Sequence, residues 1–478
     1  MFNRHLTTAL CNSIKRLPSL RASRKPLSPG LSTSDKFKRV VHHDVVRGHI
    51  GGNSSDVTSW KSFLAAGSLG LARVEVHQAR DRVKLWWVDG HESEFSLKWI
   101  RDNSPDSFSG ETYQREVDTC AIPDKDIILG ADTNGAQGSG SLKLKLARNG
   151  AGKKTDTEVD VPADWLRRYC TSPTARALRQ EHFEDPGRML WGANVFSRPD
   201  SPCFQFDDII SSPLPSARST LDGEPSESTV RSPAWKLLLA LRMFGIALVR
   251  GVPTTMEGTQ KLALRVGAHL RTTVYGPSMW ATSAGAESTE ESFQDSAYSN
   301  GELASHTDCT YFRDPPGLQV FNCEMKARIG GASTYVDGFA VAERLRTEDP
   351  EAFEFLSRTP ISYRWLDNGH YFHATGPIFQ LGEQGRLSLV RFNDYDRAPL
   401  DHLSNDEIEQ FYKHHRCLTS VIRDPVMVAR ILLEPGETVI MDNQRTLHGR
   451  DQFQGLRKLV GCYVGMDEFL STARMHGL

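Results

Sequence analysis

Residues 303–323 read LASHTDCTYFRDPPGLQVFNC, and this stretch decides the fold. It places two candidate metal ligands, His306 and Asp308, one residue apart, just ahead of a β-rich run at 317–323. Side chains at i and i+2 of an extended segment share a face, so His306 and Asp308 can close on one ion together. A third donor, His448, lies 142 positions after His306, in MDNQRTLHGRDQF (441–453). Two His and one carboxylate on one face of an octahedron leave three positions open, the donor set of non-haem Fe(II) oxygenases. A lone HxD pair is common on ordinary surfaces, so the assignment rests on its surroundings.

Three open positions suit dioxygen and a chelating co-substrate. A 2-oxo acid binds through its keto oxygen and adjacent carboxylate, and its far carboxylate calls for a rigid bidentate cation, better Arg than Lys. Arg457, in GLRKLVGCY (455–463), follows His448 by nine residues on an apolar strand, and Arg450 competes with it. Thr334 offers a hydroxyl to the same co-substrate. Tyr275, Trp280 and Tyr298 precede the metal motif and Tyr463 follows Arg457. Rings converging there would attract a quaternary ammonium at about 0.5–2 kcal/mol each, although aromatic residues pack ordinary cores as readily.

With 478 residues the chain has room for two or three domains. A net charge of −2 and no sustained basic stripe argue against a nucleic-acid partner. No run approaches the roughly 18 apolar residues of a membrane span. Eight scattered cysteines without CxxC spacing fit free thiols in a reducing compartment.

Residues 1–34 hold six basic residues, six serines and no acid, with Phe2, Leu6, Leu10, Ile14 and Leu17 forming an apolar stripe. That composition predicts a mitochondrial transit peptide. Residues 40–180 read as a small β-rich N-terminal domain. Asp89-Gly90 within it predicts a type I′ hairpin, 130–158 a long solvated loop, and ADWLRRYC (163–170) a helix burying Trp165, Leu166 and Tyr169. Residues 211–233 are Pro/Ser-rich and read as a linker or mobile loop. From 190 to 478, short strands alternate with turn signals and a few helices. Ser404 and Glu407 make a capping box before a helix over 405–416. The fold class is mainly β with α: a double-stranded β-helix, or jelly roll, carrying the catalytic site, plus the small β-rich domain.

DGHESEFSLKWIRDN (89–103), TTVYGPSMW (272–280), SAYSNGELASHTDCTYFRDPPGLQVFNC (296–323), GGASTYVDGF (330–339), RFNDYDRAP (391–399) and DNQRTLHGRDQFQGLRKLVGCYV (442–464) together resemble the trimethyllysine and γ-butyrobetaine dioxygenase family. The resemblance covers nearly everything after residue 34. It implies an Fe(II)/2-oxoglutarate oxygenase, a homodimer, with His306, Asp308 and His448 as iron ligands and Arg457 on 2-oxoglutarate. It also implies a trimethylammonium cage of Tyr275, Trp280, Tyr298 and Tyr463, with Trp280 taken over Met279 because TTVYGPSMW runs one residue longer than the usual spacing. Asn393 would lie near the substrate carboxylate, and Asp394 or Asp396 would accept an α-ammonium.

HTDCTYF, RFNDYDRAP and the ending GCYVGMDEFLSTARMHGL lean toward the trimethyllysine members, as does the leader. The implied reaction is C3 hydroxylation of trimethyllysine in the mitochondrial matrix, opening carnitine biosynthesis, with O2 consumed and ascorbate keeping the iron reduced. γ-Butyrobetaine hydroxylation and a silent jelly roll are the alternatives. Relatives often follow WIRDN with zinc-binding cysteines. Here Ser104, Ser107 and Ser109 stand instead, so no structural zinc is expected.

Overall fold

The structure, a computed structural model, describes residues 60–67, 70–77, 81–122, 127–134, 140–148, 155–184, 187–215, 231–284, 299–367, 369–382 and 385–478. The expected leader, most of the 211–233 linker and Tyr298 lie outside them.

Two antiparallel three-stranded sheets come first: Leu71–His77, Arg82–Trp87 and Glu92–Ser96, then Ile127–Asn134, Ser141–Arg148 and Thr155–Pro162. Each buries one face. Val83, Leu85 and Trp87 alternate with more exposed neighbours, as do Leu142, Leu144 and Leu146, and both sets join Phe63, Ile100 and Leu166 in one core. The second sheet corrects the loop expected at 130–158. The Gly/Ser/Asn tracts flank the strands, while SLKLKLAR between them alternates with the strict period of a half-buried strand.

The hairpin at Asp89-Gly90 forms, but not as type I′. Gly90 has φ +84° whereas Asp89 is not in the left-handed region. The Trp87 carbonyl accepts from Gly90 N and the Trp87 amide donates to His91, a three-residue loop with one left-handed glycine. Asp89 is held by Arg167 at 2.6 Å. Arg167, on the short helix Ala163–Arg168, is buried where Tyr169 was expected, and Tyr169 is exposed. At the position of the absent cysteines, the Ser104 and Ser107 hydroxyls bond each other at 3.1 Å, and Ser107 donates to the Arg101 carbonyl at 2.8 Å.

The following region is built on two sheets. In the larger, the strand order is Met279–Ala284, Arg457–Val464, Leu318–Met325, Thr438–Asp442, Ile246–Arg250, Cys203–Gln205, with Leu270–Arg271 also paired to Arg457–Val464. All its pairings are antiparallel except the last, Cys203–Gln205 with Ile246–Arg250. The smaller has the order Leu303–His306, Thr446–Arg450, Ser333–Asp337, Val428–Ile431. Ile246, Leu248, Val439, Met441 and Leu459 from the first pack with Tyr335 and Ala429 from the second, so the two sheets share a core.

The alternate residues Ala247, Val249, Ile440, Cys462 and Val464 pack against helices Pro233–Phe244, Met256–Val266 and Met466–Met475. Beyond the smaller sheet, Val336, Val428 and Leu447 pack with helices Gly338–Glu348, Pro350–Arg358 and Asn405–Ile422. Both faces of each sheet are covered. This is the jelly-roll architecture. Ser404 and Glu407 do form a capping box, and the helix it opens runs on to Ile422. No helix among the described residues is long and apolar enough to cross a membrane.

Candidate metal and co-substrate site

Strand pairing brings the three donors together. His306 and His448 are direct partners in the antiparallel ladder between Leu303–His306 and Thr446–Arg450. Gly449 permits that approach, since a Cβ there would sit 2.5 Å from the Leu303 carbonyl oxygen. The turn delivering His448 is fixed by Arg445, whose guanidinium forks onto buried Asp337 at 3.0 and 2.8 Å and also reaches the Met189 and Met243 carbonyls. Such a buried pair, with every guanidinium nitrogen hydrogen-bonded, fixes geometry more than it adds stability. Asn443, one turn earlier, accepts from Asp308 N at 2.7 Å and donates to Asp308 O at 3.1 Å. Asn443 had no sequence signal beyond its place in MDNQRTLHG.

His306 Nε2 lies 3.2 Å and His448 Nε2 3.6 Å from Asp308 Oδ1. All three donor atoms fall within 4.8 Å of one another. His306 Nδ1 bonds the Ala304 carbonyl at 2.8 Å, which leaves the Nε2 lone pair aimed at the centre. Burial alone would raise the Asp308 carboxyl, but His448, His306 and the Tyr463 hydroxyl outweigh it and hold it well below the usual carboxylate range. Burial dominates at His448 and pushes it down to about 3. At His306 burial is opposed by Asp308, which wins and raises it. The site therefore offers one carboxylate and two imidazoles to a divalent cation. The donors fit Fe(II).

These residues line a cavity of about 310 Å³ with Arg457 in its wall. Arg457 is 8% exposed, donates to Ser333 Oγ at 3.1 Å, and has no carboxylate partner among the described residues. A buried guanidinium left so needs an anion, which fits the far carboxylate of 2-oxoglutarate. Arg450 also faces the cavity, but its guanidinium already donates to the Ser299 and Gly301 carbonyls at 2.7 and 3.1 Å. Thr334 is not in the wall. Strand alternation sends Ser333 and Tyr335 into the cavity, and the hydroxyl on Arg457 is that of Ser333.

Tyr275, Trp280 and Tyr463 cluster, with ring centroids 6.2, 6.4 and 5.6 Å apart pairwise, and all three line the cavity. Met279 turns to the opposite face and packs with the helices. Tyr311, Trp365 and Tyr395 also line the cavity, and no spacing in the sequence marked them.

The polar end is a loop. Asp396 Oδ2 accepts from Thr310 Oγ1 at 2.8 Å and from Asn393 Nδ2 at 2.9 Å, and Asn393 and Asp396 both line the cavity. Asp394 does not. It turns to His415 at 2.9 Å and Arg397 at 3.1 Å.

Residues 214–463 match the family model described as taurine catabolism dioxygenase TauD, TfdA family. A mouse protein named trimethyllysine dioxygenase, mitochondrial, is 31% identical over 84% of this chain and 87% of its own. A Pseudomonas γ-butyrobetaine dioxygenase is 29% identical over 81% of this chain and 92% of its own. A solved structure titled a putative alpha-ketoglutarate-dependent taurine dioxygenase from Burkholderia xenovorans is 15% identical over 54% of this chain and 86% of that one, with a TM-score of 0.39. The chain belongs to the TauD/TfdA dioxygenase family.

Proposed function

We propose that this enzyme hydroxylates N6,N6,N6-trimethyl-L-lysine at C3 while 2-oxoglutarate is oxidatively decarboxylated, the first step of carnitine biosynthesis. One observation carries the reading: a single cavity holds the His306/Asp308/His448 donors, an Arg457 lacking a carboxylate partner among the described residues, and a three-ring cluster. Fe(II), 2-oxoglutarate and O2 together supply the oxidising chemistry that turns the C–H into C–OH and the co-substrate into succinate and carbon dioxide. Ascorbate is the proposed reductant that keeps the metal ferrous.

The protein's own share is positioning. His306, Asp308 and His448 hold the metal, and Arg457 with Ser333 takes the far carboxylate of 2-oxoglutarate. Tyr275, Trp280 and Tyr463 enclose the trimethylammonium by attraction to their ring faces. Asp396 accepts the α-ammonium, and Asn393 sits beside the substrate carboxylate. Tyr298 is proposed as a fourth cage residue. Gripping both substrate ends fixes which carbon meets the metal.

γ-Butyrobetaine is the second reading: it shares the trimethylammonium and the carboxylate but has a shorter chain and no α-ammonium. The relatives named mitochondrial and the leader composition support import through residues 1–34 into the matrix, where the enzyme acts as a homodimer. Succinate formation from Fe(II), 2-oxoglutarate and O2 tests the reading, with His306→Ala as blank. Stimulation by trimethyllysine well beyond that by γ-butyrobetaine is expected; the reverse preference would move the enzyme to the other substrate.

A further inference from the structure

The two oxygens of Asp308 face different company. Oδ1 faces both imidazole Nε2 atoms, at 3.2 and 3.6 Å. Oδ2 is turned away and accepts two hydrogen bonds, from Tyr463 Oη at 2.6 Å and from Gln319 Nε2. The Gln319 amide also reaches Tyr463 Oη at 3.2 Å, closing a three-membered network whose members Gln319 and Tyr463 are 0% and 2% exposed. Sheet register builds it: Gln319 and Tyr463 are direct partners on the adjacent strands Leu318–Met325 and Arg457–Val464. Gln319 Oε1 is left buried without a partner among the described residues. The opposite amide orientation would set that oxygen against a carboxylate, so the donor face is the one presented to Asp308.

A carboxylate can bind a metal through one oxygen or two. Two would occupy one of the three positions that a chelating 2-oxo acid and dioxygen both need. We infer that Gln319 and Tyr463 are positioning residues that reserve Oδ2 and hold Asp308 to one-oxygen ligation, so that the three remaining positions stay free. Tyr463 thereby has two attachments, its ring in the aromatic cluster and its hydroxyl on the metal ligand. The inference rests on the proposed metal role of His306, Asp308 and His448.

The test uses the full-length protein loaded with Mn(II), without 2-oxoglutarate or trimethyllysine. Water-proton relaxation counts the waters bound directly to the ion. Tyr463→Phe keeps the ring and removes the hydroxyl, and Gln319→Leu removes the amide at similar volume. Each is expected to lower the inner-sphere water signal, by about one third if one of three waters is lost to the second oxygen. Each should also weaken 2-oxoglutarate binding to the metal-loaded protein about tenfold or more. The double variant should add little, because both act on one atom. Variants with wild-type water count and wild-type 2-oxoglutarate affinity, losing only trimethyllysine binding, would overturn the inference and leave Tyr463 a cage ring alone. A wild-type protein that binds no Mn(II) or Fe(II) would remove the metal reading itself. Should Gln319→Leu fail to fold, Tyr463→Phe alone decides between these outcomes.

Discussion

The cavity has a strand half and a loop half, and they are held in different ways. His306, His448, Arg457, Ser333, Gln319 and Tyr463 stand on or at the ends of strands in two sheets covered on both faces. Their directions follow from register, and moving one requires moving a ladder. Asn393 and Asp396 stand on a segment after the strand Leu387–Val390, directed by side-chain bonds to each other and to Thr310. The strand half is thus fixed by continuous ladders, while the loop half is held by single hydrogen bonds, among them Arg364 N donating to the Asp396 carbonyl at 2.8 Å and Tyr395 N donating to Asn393 Oδ1 at 2.9 Å. On the proposed function, the metal and 2-oxoglutarate contacts fall to the first and the α-ammonium contact to the second.

The most severe test of that division is His306→Ala. It removes one of three donors from the strand half, and succinate formation is expected to fall to the blank with either substrate, together with tight Fe(II) binding by dialysis. Arg457→Met leaves the metal donors intact. Losing a buried charge pair typically costs about 2–5 kcal/mol, so the 2-oxoglutarate KM should rise about 30-fold or more while iron binding is kept.

Asp396→Asn sharpens the comparison from the loop side. A charge-assisted hydrogen bond of about 1.5–3 kcal/mol is at stake, so kcat/KM for trimethyllysine should drop about tenfold or more and that for γ-butyrobetaine much less. Equal losses on both substrates would erase the proposed boundary between the halves. Asp394→Asn, whose carboxylate faces His415 and Arg397, should leave that preference unchanged. Trp280→Phe keeps a ring with a weaker face. About 0.5–1 kcal/mol is expected, a two- to fivefold rise in the trimethyllysine KM with the 2-oxoglutarate KM constant.

The strand half was also the legible half. Ligand chemistry and strand period offered HTD and the distant His448 and narrowed the arginine to Arg457 or Arg450, the family resemblance chose Arg457, and Trp280 rather than Met279 stands on the face of its strand that meets the cavity. Period alone also favours Ser333 over Thr334 once one residue of that strand is known to face inward. A single sequence does not mark which residue that is. Gln319 and Asn443 carried no signal because their roles depend on partners 11 and 135 positions from them. The sheet at Ile127–Pro162 was hidden for the opposite reason. Its strand pattern is local and regular, but its Gly- and Ser-rich flanks outweighed it.

The two histidines that face each other across one ladder are separated by 142 of the chain's 478 residues. Non-local pairings of that span slow folding, because loop closure must be met before the contact rewards it. A chain lacking its last 22 residues would already hold His306, Asp308 and His448 but not Arg457 and the strand Arg457–Val464. An ion caught across that ladder would tie together two segments 142 residues apart, so the loaded enzyme should gain resistance to unfolding with the logarithm of free metal, beyond what its core supplies.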